Sequence, residues 1–160
     1  MDIYNILKTD HRTVMDIIHT IEGAADADRR KHIITLVHTE LAMHSKAEEE
    51  VLYRPLRDRL NDKKVIEDSF DDHDEIDKLL ATLQTTSAED AEWMTHLFKL
   101  RDVLHDHIQK EENQVFALAQ QEFSEVEAAE IGERMLEEKG KLGMPNPLMV
   151  MARKVKEMVS

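Results

Sequence analysis

The sequence contains no cysteine. A disulfide framework, a thiol nucleophile, an iron–sulfur cluster and a cysteine-type zinc site are thereby excluded, and any bound metal must rest on nitrogen and oxygen donors. Glycine and proline are scarce, four and three in 160 residues, and helix formers dominate, which reads as an all-α chain. Basic residues are outnumbered 21 to 34 by acidic ones, for a net charge of −13. That balance argues against nucleic acid and anionic membranes as partners, because both select basic patches. No apolar run approaches the ~18 residues of a membrane span, and the opening MDIYNILKTDHR lacks a signal-peptide core, so the expected home is cytoplasmic. The length suits one domain that buries about 70% of its unfolded surface. What the chain has in excess is histidine, with nine residues.

Apolar residues recur at helical spacing in four long stretches. Ile3, Ile6, Leu7, Val14, Ile17, Ile18 and Ile21 mark the first, which closes at Gly23. The second runs from about Arg29 to Leu60 through Ile33, Ile34, Val37, Leu41, Leu52 and Leu56. Pro55 is expected to bend it, since an interior proline removes a backbone donor. The third covers about Lys63 to Gln84, with Val65, Ile66, Phe70, Ile76, Leu79, Leu80 and Leu83. The fourth opens on a capping box, Ser87 with Asp90, and reaches about Gln121 through Trp93, Leu97, Leu100, Leu104, Val115 and Phe116. Ser124 with Glu127 caps a shorter helix ending near Gly140. The Gly- and Pro-rich stretch 140–147 then breaks the chain before a last helix striped by Leu148, Met151, Ala152, Val155, Met158 and Val159. The expected organisation is a four-helix bundle over 1–122 and a C-terminal helical extension over 123–160, packed on the bundle or on a second copy in a homodimer.

The histidines carry a repeat. Asp10-His11-x-x-Val14-x-x-Ile17-Ile18 leads to His44-x-x-x-Glu48-Glu49-x-x-Leu52-Tyr53, and Asp72-His73-x-x-Ile76-x-x-Leu79-Leu80 leads to His107-x-x-x-Glu111-Glu112-x-x-Val115-Phe116. The His-to-His separations are 33 and 34 residues, which an internal duplication of a helical hairpin explains better than chance. Residues four apart share a helix face, about 5–6 Å between Cβ atoms, so each His-x-x-x-Glu pair can converge on one point. Antiparallel packing brings both pairs and both lone histidines to the bundle centre, where cofactor sites are built. One zinc needs only four ligands. Six convergent donors, His11, His44, Glu48, His73, His107 and Glu111, point to two ions, with carboxylates neutralising the close dications. One tension stands against this: His73 lies about 12 residues before the third turn and His107 about 20 after it, a height mismatch of roughly 12 Å at ~1.5 Å per residue.

At these motifs the chain resembles the hemerythrin-like family, the HHE cation-binding domain, over roughly Met1 to Gln121. The telling pieces are Asp10-His11, His44-SKA-Glu48-Glu49-EVLY, His73 and His107-IQK-Glu111-Glu112-NQVF. The resemblance implies an up-down-up-down four-helix bundle around two iron ions, with Glu48 and Glu111 as bridges, the four histidines as terminal ligands and an oxo or hydroxo bridge from solvent. It also implies an open position for dioxygen or peroxide. One departure stands out. Animal hemerythrins carry His-x-x-x-His on the third helix, and here the position four before His73 is Ser69. One ion would lose an imidazole, to be replaced by water, by Glu49 or Glu112, or by a rotated histidine, which favours redox turnover over reversible carriage.

A lone histidine on a helix is more often a surface or satisfied core residue than a ligand; the repeat is what singles these four out. His19, His32, His38, His96 and His105 have no counterpart in the other half, and His105, two residues before His107, should face solvent. Glu49 and Glu112, about 100° round from their neighbours, read as solvated or as outer partners of ligand histidines, and Asp10 and Asp72 as such partners or as surface positions. Tyr4 reads as a core tyrosine with its hydroxyl at the rim. The functional expectation is a non-haem di-iron protein that binds or senses dioxygen, peroxide or nitric oxide, a binding protein rather than an enzyme. The alternatives are a peroxide-decomposing redox enzyme, an iron storage or buffering protein, and a helical interaction module with remnants of a metal site.

Overall fold

Two aspartates start the first two helices. Asp2 accepts from the Asn5 amide at 2.9 Å, and Asp26 from the amides of Asp28 and Arg29, satisfying donors that a helix start leaves orphaned. In the computed structural model, which describes residues 1–140 and 147–159, α1 is Ile3–Gly23. Helix α2 covers 27–59: Ala27–Glu48, a π-helical turn Glu49–Tyr53, then Arg54–Arg59. Helix α3 is Lys64–Thr85. Helix α4 covers 91–122: Ala91–Lys110, a second π turn Glu111–Val115, then Phe116–Glu122. Helices α5 and α6 are Glu125–Gly140 and Pro147–Val159. No strand occurs among the described residues, so the all-α, bundle reading holds. The chain break beyond Gly140 and the side chains of Leu148 and Met151 lie outside the described residues.

Helix α2 ends at Arg59, close to the expected Leu60, and accommodates Pro55 on the way. The π turn just before it shifts the backbone register, with the Arg54 amide bonding the Glu49 carbonyl, and Pro55 falls in the first turn of the segment that follows, where a missing donor costs least. One local expectation needs correcting: Ser87 does not cap α4, because its carbonyl accepts from the Asp90 amide at 3.0 Å in a turn and the helix opens at Ala91. That late start reduces the height mismatch between His73 and His107 to about four residues, roughly 6 Å. Ser124 does cap α5, accepting from the Glu127 amide at 3.1 Å.

The apolar stripes bury as their spacing demands, but in two separate clusters. One gathers Val14, Ile17, Ile18, Ile33, Ile34, Leu80, Trp93 and Leu97; the other gathers Ile3, Leu7, Leu52, Tyr53, Leu56, Ile66, Val115 and Phe116. Between them lies a polar layer at the level of His11. Trp93 locks the far end, donating from its indole to the Leu83 carbonyl at 2.9 Å with the Arg30 guanidinium 5.5 Å from its ring centre. Helices α5 and α6 pack on both α1 and α2 and cover the edge where those two meet. Val155 of α6 is buried in the first cluster. Gly132 lets α5 come close, because a Cβ there would stand 2.9 Å from the Asp2 carbonyl carbon and closer still to the Met1 carbonyl oxygen. Among the described residues no helix is long and apolar enough to cross a membrane.

Candidate metal centre

All six expected residues meet in the polar layer. His11, His44, His73 and His107 are 5–6% exposed, and Glu48 and Glu111 are completely buried. Each glutamate spans the two halves of the repeat. Glu48 places one oxygen 3.8 Å from Nε2 of His44, its own helix neighbour, and the other 3.0 Å from Nε2 of His73. Glu111 does the same, 3.7 Å from His107 and 3.0 Å from His11. Two overlapping donor groups result, His11–His44–Glu48 and Glu48–His73–His107–Glu111, with ligand atoms within 4.8 Å of one another in each.

These spacings fit shared ions. Donors on one ion with bonds of about 2.1 Å stand roughly 3.0–3.4 Å apart at bond angles of 90–109°. A second observation points the same way. Both oxygens of Glu48 and Oε1 of Glu111 are buried without a well-directed hydrogen bond, although a buried carboxylate oxygen normally has a partner. Buried acceptors that face one point and are short of well-directed donors suit cations.

Each of the four histidines has a carboxylate behind it. His11 Nδ1 donates to Glu112 at 2.6 Å and His73 Nδ1 to Glu49 at 2.7 Å. His107 Nδ1 donates to Asp72 at 3.0 Å, and Asp10 lies 3.1 Å from His44 Nδ1, somewhat off the hydrogen-bond direction. Such contacts fix the tautomer that turns Nε2 to the centre. The pairing crosses elements: the glutamates that follow the ligands on α2 and α4 serve histidines on α3 and α1. The π turns lie at these Glu-Glu pairs in both halves, in keeping with π bulges at functional sites. Thus Glu49, Glu112, Asp10 and Asp72 are outer partners, and the solvated reading is set aside. His105 and His19 are exposed, and His38 binds Asp77 at 2.7 Å away from the centre.

The electrostatics follow from this crowding. Burial pulls His11 and His73 toward the neutral form. Hydrogen bonds and charge from Glu111, Glu112 and Glu48 at His11, and from Glu48, Glu49 and Glu111 at His73, outweigh it and push both up to about 10. Burial would raise the carboxyl of Glu111, but His11 and His107 hold it far below its usual range. Protons and metal ions therefore compete for the same nitrogens.

Sequence reasoning missed Tyr53. Its ring is fully buried and stacks on His73, centroids 5.2 Å apart, and its hydroxyl donates to Glu111 Oε2 and lies 3.4 Å from His73 Nε2. Burial, then the charges of Glu111 and Glu48, drive its pKa well above 10, so the phenol keeps its proton. The available signal was its place in the repeat, where the other half has Phe116. Ser69, at the position of the absent imidazole, turns its hydroxyl back to the Val65 carbonyl at 2.9 Å. Tyr4 packs edge-on against Phe116 at 5.2 Å with its hydroxyl buried, not at the rim.

On the side away from Tyr53, a cavity of about 20 Å³ is walled by the four histidines and by Val14, Leu41, Ile76, Leu104 and Ile108. That is room for one water-sized molecule. A groove of about 160 Å³ between α2 and α3 shares Leu41, Ser45, His73 and Ile76 with it and opens past Lys46, Asp74 and Asp77.

Comparison with known proteins agrees with this geometry. A protein named DNA nickase from Nostoc sp. is 26% identical over 117 residues, 73% of this chain and 33% of the relative, so the chain spans about a third of that protein's length. No solved structure gives a significant match. The family model described as the hemerythrin HHE cation binding domain matches residues 2–119, most of the chain and all six converging residues. The chain belongs to the hemerythrin HHE cation-binding domain family.

Proposed function

We propose that this chain is a non-haem di-iron protein that binds dioxygen or a ligand of similar size, with Glu48 and Glu111 as the bridging carboxylates. The observation that carries the reading is the way each buried glutamate reaches a histidine of both halves at 3.0–3.8 Å. A pair of ions needs that arrangement and a single ion does not. Iron, when bound, supplies the electrons for oxygen chemistry. The protein does the rest. Four outer carboxylates hold the imidazoles in register, aliphatic walls exclude bulk water, and the small cavity admits only a small ligand.

Peroxide breakdown is the second reading, and one observation favours it. The imidazole that an oxygen carrier would have is absent at Ser69, and Tyr53 brings a protonated hydroxyl to Glu111 instead, a placement that could serve proton transfer. Nicking of DNA is a weaker transfer, since the match covers a third of the relative and a chain of charge −13 repels a polyanion. A cytoplasmic setting remains part of the proposal.

Metal analysis with optical spectra of the reduced protein before and after air is the test. About two irons per chain and near-ultraviolet oxo-bridge absorption are expected; zinc alone, or no metal after iron supplementation, would sink the reading. An adduct that reverses under vacuum selects binding or sensing. Sustained oxygen evolution from peroxide, lost in His107→Ala, selects the enzyme, and many irons per chain select storage.

A further inference from the structure

A lysine holds the outer aspartate in each half of the centre, but the two lysines come from different places. Asp72 lies 3.0 Å from His107 Nδ1 and 2.5 Å from the ammonium of Lys110, three residues beyond His107 on the same helix. Asp10 stands in the same relation to His44 at 3.1 Å, yet the residue three beyond His44 is Ala47. The ammonium that meets Asp10 belongs to Lys139, the last but one residue of α5. The side chains of Asp72 and Lys110 are 23% and 24% exposed, those of Asp10 and Lys139 only 1% and 3%. A charge pair so far from water depends on each partner far more than an exposed pair does.

Lys139 lies outside the stretch matched by the family, 2–119. Its position depends on how α5 seats on α1 and α2, and that seat depends on Gly132, two helical turns earlier, lying against the backbone of Met1, Asp2 and Ile3. The halves of the centre therefore differ in origin. The outer contacts of His107 are complete within α3 and α4, while those of His44 need a helix from beyond the bundle.

We infer that Lys139 is a positioning residue for the His11–His44 half of the centre, so that docking of α5 and loading of that half with metal are linked. It fixes Asp10, Asp10 orients His44, and the coupling is reciprocal: metal in that half must tighten α5 as much as α5 tightens metal. The inference rests on the di-iron reading.

The test uses the full chain titrated anaerobically with Fe(II) against a chelator. Lys139→Met removes the ammonium at similar volume, and Gly132→Ala keeps the lysine but forces α5 outward. Both are expected to weaken one of the two equivalents 10–100-fold, the range for lost outer partners, and to leave the other within threefold. A lysine that only held α5 in place would lower the melting temperature without splitting the two affinities. On the unmodified protein, amide exchange across 125–140 is expected to slow at least tenfold on loading, a readout that survives if a variant fails to fold. Two equivalents held within threefold by both variants, or exchange across 125–140 indifferent to metal, overturns the inference while leaving the di-iron reading intact. Failure of the unmodified chain to bind any Fe(II) removes that reading and this inference with it.

Discussion

Metal loading should depend steeply on pH, and the structure sets the size and sign of the effect. His11 and His73 are both raised from 6.5 to about 10, so at pH 7 each carries a proton on a centre that a metal must occupy. Loading then releases about two protons, and the apparent affinity rises by about two log units per pH unit below 10. Between pH 6 and pH 8 that is roughly 10⁴-fold, or about 5 kcal/mol. Stability without metal should run the other way. A histidine whose folded pKa exceeds its unfolded value contributes stability fully present below 6.5 and lost as pH climbs through 10. The gap from 6.5 to about 10 corresponds to at most roughly 5 kcal/mol for each of these two buried histidines. The metal-free protein should therefore melt progressively lower from pH 6.5 to 10. The loaded protein, its Nε2 atoms already free of protons, should not. Chelator competition with Fe(II) at several pH values, proton release into an indicator dye, and paired thermal melts measure all three. Release of less than one proton per loaded chain, or a metal-free melting temperature flat across that window, would refute the charge assignment.

Removing a proposed bridge should weaken both ion positions: Glu48→Ala, at a fully buried carboxylate shared by His44 and His73, is expected to drop the iron content from two to one or none by metal analysis. Tyr53→Phe takes away the donor to Glu111 and should cost about 1–3 kcal/mol of metal-free stability in denaturant titration; an unchanged midpoint would deny that hydrogen bond. Glu49→Gln, behind His73 at 2.7 Å, should weaken iron binding 10–100-fold in chelator competition with no change in helix content by circular dichroism. Trp93→Ala, far from the centre in a fully buried pocket, should cost about 3–5 kcal/mol of stability and leave the iron count at two.

The six converging residues were legible because a helix writes its inner face into the sequence every three to four residues, and here the motif occurs twice. His11, His44, Glu48, His73, His107 and Glu111 converge where the repeat puts them. The start of α4 was misread because Ser87 and Asp90 suit a cap and a turn equally well, and only the chain path selects the turn. The π turn before Pro55 was not legible, because nothing in the residues around it announces one.

Composition and periodicity were enough to read the long helices, their buried stripes, the absence of sulfur ligands and the set of nitrogen and oxygen donors. Which carboxylate stands behind which histidine, that Tyr53 reaches Glu111, and that Lys139 reaches Asp10 emerge only when the helices are packed together. The difference is one of range. Periodicity records the face a residue takes on its own helix, whereas these contacts depend on the register between helices, set by turn lengths, the two π turns and the close approach of Gly132 to the start of α1.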